Sequence, residues 1–335
     1  MDAMKAWVSR EAGGPATLAL EELPVPEPRA DEALVRVQAV GVNFPDSLLI
    51  RDLYQIKPPR PFTPGSEFCG VVEDIGPGVT RLQAGDVVIG SCGWGAMADY
   101  IALAQDRLVR IPDQAPRTEA AAFLFTYATA YHALHDAARL AAGETLLVLG
   151  AAGGVGSAAI DLGAAAGARV LAAASTQSKV DFAVERGATA GLVYDGDLLE
   201  GPGQKELAAR LKEALPNGAD VVLDPVGGAY TEPALRSLKR GGRHLVIGFT
   251  AGIPRVPLNL ALLKSCHIIG VDWRTFIREE PETNARNINT LLAMWQNRSI
   301  SPAVTELFPF EKAPEAINRL ESRKAAGKIV VDLQS

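Results

Sequence analysis

The sequence predicts an α/β protein in two parts, a partly open antiparallel β-barrel followed by a doubly wound parallel sheet. Three observations predict it. Up to about residue 110 the chain runs in short β-like stretches punctuated by Gly and Pro. From about residue 118 helical stretches alternate with apolar strands. One of those strands, "TLLVLG", runs into a glycine turn that opens a helix at once.

The elements follow in order. "ALVRVQAVGV" (33–42) alternates, and "GVVEDIG" and "DVVIG" are short strands between Gly/Pro turns. "RTEAAAFLFTYATAYHALHDAARL" is Ala-rich with apolar residues at helical spacing, and Thr118 can cap it. "TLLVLG" (145–150) is a strand, "GSAAIDLGAAAG" a helix ending near Gly167, and "RVLAAAS" the next strand. "KVDFAVERG" is a helix with Gly187 as its stop. "DGDLLEGPGQKE" (195–206) reads as a surface loop, and "ADVVLDPVGG" and "RHLVIGF" as further strands. After "CHIIGVDW" come a helical region (284–298) and a terminal strand, "GKIVVDL", expected to return to the first part.

Composition narrows the function. A chain of 335 residues exceeds one ordinary core and suggests two domains. With 48% hydrophobic and 21% charged residues, a packed soluble protein is expected. Net charge is −6, pI is about 5.4, and no Lys/Arg-rich stripe appears, so no nucleic-acid partner is expected. The N-terminal "MDAMKAWVSREAGG" lacks an apolar signal-peptide region. The longest apolar stretches, 119–134 and 145–160, are interrupted and short of a membrane span of roughly 20 residues. Three scattered cysteines, Cys69, Cys92 and Cys266, give no disulfide framework, and a reducing cytoplasm is expected.

"TLLVLGAAGGVGSAAI" carries the strongest signal. Gly154, Val155, Gly156, Ser157, Ala158 and Ala159 match G-x-G-x-x-A, and the register from Ala151 through Gly153 to Gly156 matches with Ala in first place. In either register the missing side chains let backbone N–H groups approach a pyrophosphate at a helix N-terminus. Sites for NAD place an acid about 20 residues on, at the end of the second strand. Here that place reads "LAAASTQSK", with no carboxylate. Ser175, Thr176 and Lys179 can bind a 2′-phosphate through hydroxyls and a point charge, so NADPH is the expected cofactor. The alternative is a polar turn that caps the next helix.

With "GVNFPD", "PFTPGSEFCGVVEDIGPGVTRLQAGDVV", "AAGGVG" and "GKIVVDL" in this order, the chain resembles the zinc-independent NADPH:quinone oxidoreductases, the zeta-crystallin type of medium-chain dehydrogenase/reductase. The resemblance implies a GroES-like catalytic domain (1–127), an inserted Rossmann NADPH-binding domain (128–268) and a C-terminal segment (269–335) returning to the catalytic domain. It implies Asn43 near the nicotinamide, Thr129 near the cofactor, and Gly154 and Val155 on the pyrophosphate. It also implies Ser175 and Lys179 on the 2′-phosphate, Tyr194 beside the adenosine, and Phe249 and Lys328 near the cofactor.

Zinc-dependent relatives carry a catalytic Cys where this chain has Asn43, and a His where it has Ser66, in "FTPGSEFCG". A catalytic zinc needs three protein ligands, and Glu67 alone cannot hold the ion. The expectation is therefore no metal, with Glu67 burying its carboxylate against backbone or a partner. His132 and His135, three apart on a helix, lack a third ligand and read as ordinary helix residues. "SCGWGAMADY", where a structural zinc lobe would fall, has one Cys.

Without a metal the acceptor must take hydride readily by itself, as quinones and conjugated enones do. The catalytic candidates are Asn43 and Tyr54. Tyr54, in "IRDLYQIKPP", suits a substrate oxygen, because the family often has a Tyr in this loop; the alternative is a ring packed under a Pro-rich loop. Asp46 can help orient the nicotinamide and its loop, or serve as a turn residue. Three functions remain open: a quinone-type reductase, a reductase of α,β-unsaturated carbonyls or enoyl thioesters, and a non-catalytic NADPH-binding protein. "HIIGVDW" (267–273) reads as an apolar sheet edge. In the family this region pairs across a two-fold axis, so a homodimer is expected.

Overall fold

The period-2 runs of the N-terminal third all form strands, because burying one pleated face is what such runs are suited to do. The computed structural model describes residues 3–194, 196–197 and 201–334. β1 (Met4–Val8) and β2 (Ala19–Leu23) pair as an antiparallel ribbon. β3 (Glu32–Gly41), β4 (Glu67–Ile75), β5 (Val87–Ser91), β6 (Tyr100–Ala104) and β7 (Leu108–Arg110) follow. β3 is the long strand, pairing with β4 and β6 and burying Val35, Val37 and Val40.

The second half is a parallel sheet. Its strands are β8 (Thr145–Leu149), β9 (Arg169–Ala174), β10 (Ala190–Val193), β11 (Ala219–Asp224), β12 (Leu238–Val246) and β13 (His267–Gly270). They lie in the order β10-β9-β8-β11-β12-β13, every pair parallel. β8 and β11 are buried at every position because the sheet's central strands are covered on both faces, and β11 carries two acids, Asp220 and Asp224, among its apolar residues.

The chain then contributes β14 (Val304–Pro309) and β15 (Lys328–Asp332) to the first sheet, in the order β14-β15-β3-β4-β5-β7. The returning terminal strand is thus where the sequence put it. The β14–β15 pair is parallel, so the barrel sheet is mixed rather than wholly antiparallel.

Two compact units result: Met1–Phe125 with Pro302–Ser335, and Thr126–Ser301. Residues 269–301, read from the resemblance as part of the returning segment, fall within the second unit. The reason is visible in that unit: the Trp273 indole donates to Asn284 Oδ1 at 3.0 Å, and Asn287 donates to Asp136 at 2.7 Å.

Two local readings are corrected. Thr118 does not cap a long helix. A short helix, Arg117–Ala120, starts after Pro116, and the stretch beyond includes wide helical turns over Leu124–Ala128 and His132–Ala137. The segment read as a loop at 195–206 is helical from Pro202 to Ala214: Pro suits the first turn, and Gln204 accepts the Gly201 N–H at 3.0 Å. Residues 195 and 198–200 of that segment lie outside the described residues.

Candidate active site

The dinucleotide motif lies where a doubly wound sheet offers a crevice. Strand order reverses between β8 and β11, and ligands bind beyond the carboxyl ends at such a point. Gly150 leaves β8 with φ +57, and a Cβ there would meet Val226 Cγ2, in the loop after β11, at 3.0 Å. The helix Gly154–Ala165 starts at once, with Gly153 as its N-cap, and its first ladder bond runs from Ser157 N–H to the Gly153 carbonyl at 2.8 Å. The N–H groups of Gly154, Val155 and Gly156 precede that bond, at the positive end of the helix. A Cβ at Gly156 would lie 2.4 Å from the Gly150 carbonyl oxygen, so only glycine lets the turn close this tightly. This cradle fits a pyrophosphate.

The second strand ends in the hydroxyl-rich turn. Lys179 Nζ lies 3.4 Å from Ser175 Oγ, and Thr176 Oγ1 accepts the Lys179 backbone N–H at 3.3 Å. Thr176 therefore caps the helix Gln177–Glu185, while Ser175 and Lys179 come together beside it. Tyr194 follows β10; its N–H bonds the Ala174 carbonyl at 2.9 Å, which sets it next to Ser175. Its ring is buried against Tyr230, centroids 4.9 Å apart. Phe249, half-exposed, lies in the loop after β12, its Cα 3.1 Å from where a Gly227 Cβ would be. Thr129 is buried in the helical stretch between the two wide turns.

Asp224, which sequence reasoning passed over as a strand end, organises this crevice. Its Oδ1 accepts the N–H groups of Val226 and Gly227 at 2.9 and 2.8 Å; its Oδ2 accepts the Thr231 hydroxyl at 2.7 Å and faces His244 Nε2 at 3.2 Å. Burial alone would raise this carboxyl, but the hydrogen bonds, from His244 first, hold it below its ordinary range. The signal was present: an Asp ahead of Pro-x-Gly-Gly commonly folds back on its own turn.

In the first unit, strand pairing builds a buried polar cluster. β3 and β4 register sets Gly41 opposite Glu67, and the Val42 N–H bonds the Ile329 carbonyl at 3.0 Å. Lys328, at the start of β15, thereby meets the end of β3. A Cβ on Gly41 would lie 2.6 Å from Glu67 Oε1, so the bare backbone makes room for the carboxylate. The Lys328 ammonium donates to Glu67 Oε1 at 2.6 Å, Asn43 Oδ1 at 2.7 Å and the Val42 carbonyl at 3.1 Å. Asn43 Nδ2 donates to the same Glu67 oxygen at 2.9 Å, with Ser66 Oγ at 3.3 Å and the Gly41 carbonyl at 3.2 Å. Glu67 Oε2 accepts the Phe125 N–H at 2.8 Å. Asn43 is thus turned toward Lys328 and Glu67, both ends of its amide engaged. Tyr54 is half-buried against the same unit's core.

A zinc ion fits this cluster poorly. The oxygen donors that would turn to a metal, Glu67 Oε1 and Asn43 Oδ1, converge on an ammonium instead. Cys92 donates to the Gly65 carbonyl at 3.2 Å, and burial pushes its thiol up to about 12. His132 and His135 both bind Asp136 through Nδ1, at 2.9 and 3.0 Å, and His132 stacks on Phe276. Among the described residues no group of three or more His, Cys, Asp or Glu is set to hold a metal, and no helix is long and apolar enough to cross a membrane.

Comparison with known proteins agrees with this anatomy. Residues 29–113 match the alcohol dehydrogenase GroES-like domain, and residues 154–290 match the family described as zinc-binding dehydrogenase. A rat protein, quinone oxidoreductase-like protein 2, is 35% identical, over 98% of this chain and 97% of its own. A mycobacterial protein solved in complex with NADPH superposes with a TM-score of 0.90 at 30% identity, covering 98% of this chain and 99% of that one. The CurK enoyl reductase superposes with a TM-score of 0.86 at 26% identity, over 99% of each chain.

Proposed function

The chain belongs to the quinone oxidoreductase type of the medium-chain dehydrogenase/reductase superfamily, and we propose that it reduces a quinone-type acceptor with NADPH and without a metal. NADPH, when bound, supplies the hydride. The N–H groups of Gly154, Val155 and Gly156 bind its pyrophosphate. Ser175 and Lys179 take the 2′-phosphate, where an acid would repel it. Tyr194 flanks the adenosine, and Thr129 and Phe249 line its path. Asn43, held by Lys328 and Glu67, orients the nicotinamide end, and Tyr54 meets the substrate oxygen.

The observation that carries the metal-free reading is the Lys328 ammonium, set between the oxygens a metal would need. With no Lewis acid, the acceptor must accept hydride on its own account. A quinone does so because the product is aromatic.

A second reading is reduction of a conjugated carbonyl or enoyl thioester, whose enolate is delocalised. The likeness to an enoyl reductase favours it, since the same residues would serve both reactions. Steady-state NADPH oxidation against a panel of quinones, enones and enoyl thioesters tests both. Turnover with quinones above the other classes is the expected result. Turnover confined to enoyl thioesters would assign the second reading, and turnover with none would overturn both.

A further inference from the structure

The cluster holds two carboxyl groups and one ammonium. Asp46 is fully buried on the helix Phe44–Ile50, its Oδ2 accepting the Asn43 N–H at 2.7 Å. Its Oδ1 has no hydrogen-bond partner. The groups facing it are few. Glu67 comes from the start of β4 and Ser66 from just before it, Lys328 from β15, and Cys92 from just after β5. The Cys92 thiol stays neutral, and along the helix Ser47 and Arg51 are engaged by Glu321. Lys328 has three donors, and all three are spent on Val42, Asn43 and Glu67. Among the described residues no cation hydrogen-bonds the second carboxyl group, which feels Lys328 only through its charge.

We propose that Asp46 is a positioning residue that carries its proton in the working enzyme, and that losing this proton slows hydride transfer by disturbing Asn43. With Asp46 neutral, Lys328 and Glu67 balance. Once ionised, a second negative charge stands beside Glu67, competes for Lys328 and disfavours the anion that hydride addition creates on the acceptor. Burial is the main cause that lifts this carboxyl from 3.8 to about 7, helped by the Glu67 charge and opposed by hydrogen bonds from Asn43 and Ser66 and by the Lys328 charge. The activity arm of the claim rests on the reading of the chain as a hydride-transfer enzyme; the proton itself does not.

The test has three arms. In the first, hydride transfer by the wild type is followed from pH 6 to pH 9 at saturating NADPH. It is expected to fall about fivefold or more with an inflection near 7, while the Asp46→Asn variant, normalised to its own rate at pH 6, stays within about twofold. The second arm is thermal unfolding. A carboxyl held above its unfolded value of 3.8 binds its proton more tightly in the fold, so its own contribution to stability is greatest in acid and falls as pH rises to about 7. Wild-type Tm should therefore decline across that window more steeply than that of Asp46→Asn. The third arm is spectroscopic: the infrared C=O stretch of a buried carboxylic acid should be present in the wild type at pH 6, gone by pH 9, and missing from Asp46→Asn, which separates it from the buried Asp161. Flat stability together with no acid band would overturn the proposal. An acid band with pH-independent turnover would overturn its catalytic half. Absence of any NADPH oxidation would count against the functional reading, and the second and third arms would still decide the protonation of Asp46.

Discussion

Changing Lys328 to Met removes the one cation from a cluster whose remaining charge is buried. The Lys328 and Glu67 side chains are 5% and 1% exposed, their charged atoms 2.6 Å apart. At an effective dielectric constant of about 20, that separation corresponds to about 6 kcal/mol of attraction. Much of this offsets the cost of desolvating both groups, and removing one partner of such a pair costs about 3–5 kcal/mol. The same change strips a donor from Asn43 Oδ1 and the Val42 carbonyl. Against a typical stability of about 5–15 kcal/mol, the loss is large. Urea unfolding followed by circular dichroism, fitted with separate transitions for the two units, should show it in the transition of the first. The double variant Lys328→Met/Glu67→Gln removes both charges and should regain most of the loss. A single variant costing less than about 1 kcal/mol, or a double variant no better than the single, would refute the internal ion-pair argument.

Further outcomes follow from the other unit. NADPH should bind at least about tenfold tighter than NADH, about 1.4 kcal/mol, and Lys179→Ala should erode that preference; equal loss for both cofactors would contradict the 2′-phosphate assignment. β13 is a sheet edge whose His267, Ile268 and Gly270 are exposed, and Ile253, Leu258 and Leu262 nearby in sequence are strongly exposed. We propose that the edge pairs with a second copy across a two-fold axis. Light scattering should then give twice the 35.4 kDa chain mass; a monomer mass, or a dimer that survives Ile269→Pro, would contradict that interface.

The fold was legible because its signals are local. Strand, glycine turn and helix follow one another between Thr145 and Ala165, and the terminal "GKIVVDL" read as a strand returning to the first part. The polar cluster was half legible. Asn43 and Ser66 announced that two zinc ligands were gone, but nothing local shows what Glu67 meets. Its partner, Lys328, lies 261 residues away, and only the β3–β15 pairing brings it near. The buried tie of Tyr127 and Arg186 to Asp161, which reaches Ser301, was invisible for the same reason. It also explains why the second unit extends to residue 301. The helix at 202–214 was missed because Gly and Pro read as loop, although Pro at a first turn is a start signal. Asp46 read as a turn residue because capping and burial use the same side chain, and only the packed structure leaves one of its oxygens alone.

The central claim is that an internal ammonium replaces the metal in a hydride-transfer site. The most direct test is reduction of a quinone by NADPH, measured on protein whose zinc content has been determined by elemental analysis, before and after chelator treatment. The account predicts turnover by protein holding no stoichiometric zinc, unchanged by the chelator. One tightly held zinc per chain, with activity that disappears on its removal and returns on its addition, would contradict it.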